Sequence, residues 1–332
     1  VRILLASRAD TAVGAPDVTV RITPNRAPTL FGDRLAEHLV ADERYLGYLP
    51  WGATLEPGDA PGFPLGPLAP GAAAVATLVL ATAEDLPAIE EIAASLVGND
   101  PGDWLDQTLD DWAAWSATGV RVQTSDPRVG DLFDGQRVGI RVQTTASGGV
   151  APMSEYTQVW LRDTEGPVRF LLRAGLPDDA RAAFDYMHLC ATVEGDYSNS
   201  CASRLRPEDA GAEPDWLALG PFGDRQRAEG PSHIPLMARA LIDWTGDGAL
   251  LAERWDWLRR GLLGQTVEEG GRQPFSGDET YRPAMSATVG LPLTFPYEER
   301  AWSALSSLLL ASAGEWMAEA GAAAGLPGVE EL

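Results

Sequence analysis

The sequence predicts a chain in which β structure is followed by α structure. We expect a β-sandwich domain over residues 1–82, a helical linker over 83–102 and helical hairpins from 103 to 332. Three observations carry this. Val18-Thr-Val-Arg-Ile alternates apolar and polar residues, as a half-buried strand does. Ala72–Ala81 is a continuous apolar run of the length of a buried strand. Beyond Asp103 the apolar period changes from two to near 3.6, the period of an amphipathic helix.

The elements follow in order. The Pro/Gly-rich stretch from Pro57 to Gly71 reads as punctuation between strands. Asp85–Val97 places Leu86, Ile89, Ile92 and Leu96 on one helical face and stops at Asn99-Asp-Pro-Gly. Trp104, Thr108, Trp112 and Trp115 share the next stripe, and Val129–Thr145 forms another helix. A helix starting at Asp178 after Pro177 buries Ala180, Ala183, Phe184, Met187, Cys190 and Ala191. Ser232 caps a helix whose buried face is Ile234, Met237, Ala238, Leu241 and Ile242. Asp247 opens one with Leu251, Trp255, Leu258 and Leu262 inside, and Trp302, Leu305, Leu309, Ser312 and Trp316 mark the last. The long polar segment from Glu194 to Pro231 reads as a functional loop, because such loops are uncommon in compact bundles. The chain opens without Met and directly in strand-like residues, so the β domain is expected to be N-terminally truncated.

Composition narrows the function classes. A net charge of −23 disfavours nucleic acid and anionic membrane surfaces, which select basic patches. All 25 basic residues are arginine, which removes lysine Schiff-base and P-loop chemistry. His38, His188 and His233 lie far apart, and neither HExxH nor CxxC occurs, so no metal and no cofactor is expected. Cys190 and Cys201 read either as a short bridge, implying an oxidising compartment, or as two buried free thiols, the reading we favour. No run approaches the roughly 20 apolar residues of a membrane span, and Val1-Arg-Ile-Leu-Leu is too short for a signal peptide.

Two polar segments stand out. In the first, Ser154–Trp160 reads as extended and Gly166–Ala174 as the beginning of a helix, which puts Arg162, Asp163 and Glu165 at its N-terminus. Free backbone N–H groups and the helix dipole favour carboxylates there. With Tyr156 and Trp160 beside them, these groups suit a neutral polyhydroxylated ligand; the plainer reading is a capped helix with a surface ion pair. The second segment runs from Gly271 to Pro283, where Gly277 and two prolines present Asp278 and Glu279 on a turn beside Tyr281 and Arg282. A carboxyl group desolvated by aromatics is raised toward the range of a general acid, and glycoside hydrolysis needs two such groups about the scissile bond. Trp216 offers a stacking face or anchors its own loop, and Asp196-Tyr-Ser-Asn-Ser is a possible extension of the site. His233 borders the loop side and is weighed as a ligand contact; His188 reads as structural or exposed.

A β-sandwich, a helical linker and hairpins carrying Tyr156…Trp160-Leu-Arg162-Asp163 before an amphipathic helix resemble the six-hairpin, (α/α)6-barrel glycosidases. The likeness is nearest to glycoside hydrolase family 15, the glucoamylase-like enzymes, and covers about residues 70–332. It implies that Arg162 and Asp163 bind the terminal sugar and that Glu279, by order along the chain, is the general acid, with Asp278 the alternative. The GDETY context departs from the usual glucoamylase glutamate, so a sister family of the same clan fits equally. The barrel has about twelve helices against about seven counted here, so the resemblance implies a barrel incomplete at the C-terminus. The general base then falls beyond Leu332, and this polypeptide alone is expected to be inactive.

The sequence thus points to a hydrolase of an α-glucoside or related glycan, with carbohydrate as partner and neither nucleic acid nor membrane. A glycoside phosphorylase of the same fold would replace water with phosphate held by arginine. A polysaccharide lyase is disfavoured by the acidic loops, and a carbohydrate-binding or interaction scaffold is the non-enzymatic alternative.

Overall fold

The computed structural model describes residues 2–6, 17–21, 29–31, 34–39, 44–51, 62–67, 73–83, 85–96, 99–152, 158–220, 222, 230–274 and 302–332. They fall into two compact units, Val1–Ala117 and Thr118–Leu332; the expected boundaries at 82 and 102 both lie within the first.

The first unit holds strands β1 (Arg2–Ala6), β2 (Asp17–Arg21), β3 (Thr29–Phe31), β4 (Arg34–Leu39), β5 (Arg44–Trp51), β6 (Gly62–Pro67) and β7 (Ala73–Ala83). Five of them form an antiparallel sheet in the order β1-β7-β5-β4-β3, and β2 pairs with β6 separately. β6 corrects the reading of Pro57–Gly71 as punctuation alone. Gly62–Pro67 pairs with Arg21–Asp17 across a register irregularity at Val18/Thr19, and Pro is tolerated in such a two-stranded, all-edge ribbon. Helix α1 (Leu86–Ser95) is capped by Asp85, whose carboxylate accepts the Ala88 amide at 2.8 Å. It buries Ile89 and Ala93 against Leu49, Ala81 and Ala83. A Cβ at Gly47 would stand 2.7 Å from Ile89 Cγ2, so glycine on β5 is what lets the helix approach. Helix α2 (Pro101–Ala117) closes the unit and carries the tryptophan stripe, with Trp112 and Trp115 packed edge to face at 5.6 Å.

The second unit is a set of packed helices. Helix α3 (Pro127–Gln143) contacts α4 (Leu161–Arg173) through Phe133 and Phe170, 5.7 Å apart. Then come α5 (Pro177–Glu194), α6 (Gly230–Thr245), α7 (Ala249–Glu253), α8 (Trp255–Leu263) and α9 (Ala304–Ala324). α6 is central, packing against α4, α5, α8 and α9. Gly230–Ala238 is buried on every side, as expected of a helix surrounded by others. The core joins Val168 and Leu172 of α4, Phe184 of α5, Met237 of α6, Trp257 of α8 and Met317 of α9.

Several local expectations change. α4 begins at Leu161, not Gly166, so Arg162, Asp163 and Glu165 lie within it. The helix expected from Asp247 breaks in two at Arg254, whose non-helical backbone ends α7 and starts α8. In α9 the buried residues are Ser306, Ala313, Met317 and Gly321, while Leu305 is exposed and Trp302 precedes the helix in a two-residue strand. Alanine, serine and leucine surround this helix, so its sequence has no single apolar stripe to set the phase. Cys190 and Cys201 form a disulfide, contrary to the favoured reading as free thiols; their Cα atoms are 5.9 Å apart. The Glu194–Pro231 segment contains strand β9 (Ser200–Ala202), which pairs with β8 (Gln158–Trp160). Among the described residues no helix is long and apolar enough to cross a membrane.

Candidate functional site

Three segments meet at one end of the helical unit. β8 leads directly into α4, and Val159 pairs with Cys201 of β9, which the disulfide ties to Cys190 on α5. The Leu161 amide donates to the Asn199 carbonyl at 2.9 Å, fixing the start of α4 against the segment that follows α5. The start of α6 joins them: a methyl at Gly230 would lie 3.7 Å from Leu161 Cδ2 and 4.0 Å from Asn199 Oδ1.

At this junction Asp163 is exposed in the first turn of α4 and Arg162 is half-buried. Pro167 withholds the amide that would otherwise bond to the Asp163 carbonyl, loosening the helical pattern beside the polar pair.

Glu165 is committed inward. It accepts from Arg169 Nε at 2.5 Å, and its other oxygen bonds to Nδ1 of His233 on α6. Burial raises its pKa, but bonds and charge from His233 and Arg169 outweigh this and hold the carboxyl below its ordinary value. The Nε2 of His233 is buried and has no hydrogen-bond partner among the described residues.

A second set of bonds runs beside it. Gln265 Nε2 donates to Ser232 Oγ at 3.0 Å and to the Gly261 carbonyl at 2.6 Å, and Gln273 Nε2 donates to Gln265 Oε1 at 2.7 Å. The Gln273 amide also donates to Ser307 Oγ on α9 at 3.0 Å. Gln273 thus joins the start of α6 through Gln265 and Ser232. Asp196 is drawn into the same region: Arg260 Nη2 donates to its Oδ2 at 3.0 Å, and the Arg260 guanidinium lies 4.3 Å over the Phe222 ring.

The structure therefore brings Trp160, Arg162, Asp163 and Glu165 to the end where Gln273 is anchored. Tyr156, Asp278, Glu279, Tyr281 and Arg282 lie outside the described residues. Trp216 is only 3% exposed, and its indole N–H donates to Glu213 Oε1 at 2.9 Å, so its ring anchors a loop. The Glu165–His233 pairing and the Ser232–Gln265–Gln273 relay were missed in the sequence, since no local spacing links residues on separate helices. The burial of Ser232 and His233 was the one available signal, in the apolar run that follows them. Among the described residues no cluster of three or more His, Cys, Asp or Glu is arranged to hold a metal. No family model matches the chain, and a search of curated proteins returns no match.

Proposed function

We propose that the helical unit is the hairpin region of an (α/α)6 glycosidase, acting on an α-glucoside or related glycan by general acid/base hydrolysis. One observation carries the reading. Leu161, which opens the Arg162-Asp163 turn, and Gln273, which precedes Asp278 and Glu279 in the chain, both reach the start of α6, one beside Asn199 and Gly230, the other through Gln265 and Ser232. Loops gathered at one end of a rigid helical scaffold suit ligand binding. Arg162 and Asp163 hold sugar hydroxyls, with Glu165 and His233 bracing the turn that presents them. Glu279, or its neighbour Asp278, protonates the leaving oxygen.

Binding and turnover are tested separately. Calorimetric titration of the whole chain with maltooligosaccharides should show saturable binding, weakened about tenfold or more by Arg162→Ala or Asp163→Asn. Where hydrolysis is measurable as released reducing ends, Glu279→Gln should abolish it and leave binding in place. No glycan binding, or hydrolysis undiminished in both Glu279→Gln and Asp278→Asn, overturns the reading.

A further inference from the structure

Between Ala182 and Thr192, α5 faces a cavity of about 360 Å³ beside residues 207–213, within the size range of small-ligand sites. Two bonds to one atom hold the covering segment down. Glu213 Oε1 receives both His188 Nε2 and Trp216 Nε1, each at 2.9 Å, and neither bond uses Oε2. Two residues earlier, a Cβ at Gly211 would stand 2.6 Å from the Thr192 carbonyl oxygen, so glycine is required for this approach to α5.

The cavity lining is one-sided in its chemistry. Its aliphatic wall is Ala182, Leu189, Pro207 and Ala210, and among the described residues no Arg lines it. Two carboxylates do, Asp185 and Glu213. Asp185 is bridged from outside the lining by Arg181 at 2.7 Å and Arg254 at 3.5 Å. Burial and Arg254 lower the His188 pKa below its ordinary value despite Glu213 and Asp185, so at neutral pH the imidazole adds no positive charge. Of the three hydroxyls, Tyr186 donates to the Ala202 carbonyl at 2.5 Å and Thr192 to the Leu189 carbonyl at 2.8 Å, so two protons are already used and Ser147 carries the third. Among its side chains the lining offers more acceptors than donors.

We propose that this cavity binds a small aliphatic amine, its ammonium paired with Glu213 and its methylenes laid on Leu189, Pro207 and Ala210. An ammonium only donates, which matches the lining. A polyol also accepts, and its own lone pairs would find few donors in the lining. An anion would meet the Glu213 carboxylate, and the arginines beside the cavity are already paired with Asp185. The site is separate from the glycan reading and stands without it.

The test uses the whole chain at neutral pH and low salt, titrated with 1,4-diaminobutane and, in parallel, its neutral analogue 1,4-butanediol. The readout is the His188 imidazole signal, one of three histidines in the sequence. Diaminobutane should shift that signal saturably while butanediol does not. Glu213→Gln keeps an oxygen to accept from His188 and Trp216 but loses the charge, and should weaken binding at least about fivefold. Ala210→Phe, which fills the cavity and leaves the carboxylates, should weaken it comparably. Unsaturable shifts, equal binding of butanediol, or undiminished affinity in either variant would each overturn the proposal.

Discussion

His233 on α6 bonds through Nδ1 to Glu165 on α4, although 68 positions separate them in the chain. This pair joins the N-terminal halves of two neighbouring helices close to Arg162 and Asp163. Its contribution depends on the glutamate being charged. The folded-state pKa of Glu165 is depressed, so its stabilisation is present above the ordinary carboxyl value near 4.3 and lost as pH falls through the folded value.

Glu165→Gln should therefore destabilise the protein by roughly 1–3 kcal/mol at pH 7. The difference from wild type should shrink in acid, below about pH 4. Urea unfolding at both pH values measures it; a difference independent of pH would show that the charge contributes nothing.

The His188 imidazole should titrate below its ordinary value near 6.5, because burial and Arg254 outweigh Glu213 and Asp185. The unfolded chain then takes up this proton first, so His188 contributes stability above pH about 6.5 that is lost as pH falls toward the folded value. NMR titration of the imidazole gives the midpoint directly. Glu213→Gln should lower it further, since the Glu213 charge is one of the groups raising it.

The Cys190–Cys201 bridge spans a sequence separation of 11 and fixes β9, hence β8 and the start of α4. Replacing both cysteines with serine should cost about 3 kcal/mol, the loop-closure value for this length. Hydrogen exchange should then quicken at Leu161, whose amide bonds to Asn199. Unchanged exchange there would mean that the bridge does not hold this junction.

In the first unit, Ile89→Ala should lose about 2–4 kcal/mol by leaving a void between α1 and the sheet. Gly47→Val should also destabilise, by about 1–3 kcal/mol, through overpacking against Ile89. The double variant Gly47→Val/Ile89→Ala should recover part of the loss, since the new side chain fills space the old one vacated. Strictly additive losses by chemical denaturation would separate the two sites.

Periodicity was enough for most individual elements. The alternation at Val18 and the apolar run at Ala72 both fall on strands, and the stripes at Ile89, Phe184 and Met237 fall on buried helix faces. It failed where neighbours decide the outcome. Gly62–Pro67 becomes a strand because β2 lies beside it, and α9 turns its small residues inward because of what packs there. Of the candidate site, the polar stretch at Arg162-Asp163 was legible because charge beside aromatics at a helix start is a local pattern. The partners of Glu165 were not.

By itself, then, the sequence determined most of the strands and helices, because those are set by side chains a few residues apart. Only the tertiary structure decided that Glu165 meets His233, that Cys190 meets Cys201, and that Gln273 is anchored through Gln265 beside Ser232. Each pairing depends on how whole helices pack around α6. That packing is governed by the summed burial of many side chains, and no short stretch of sequence records it.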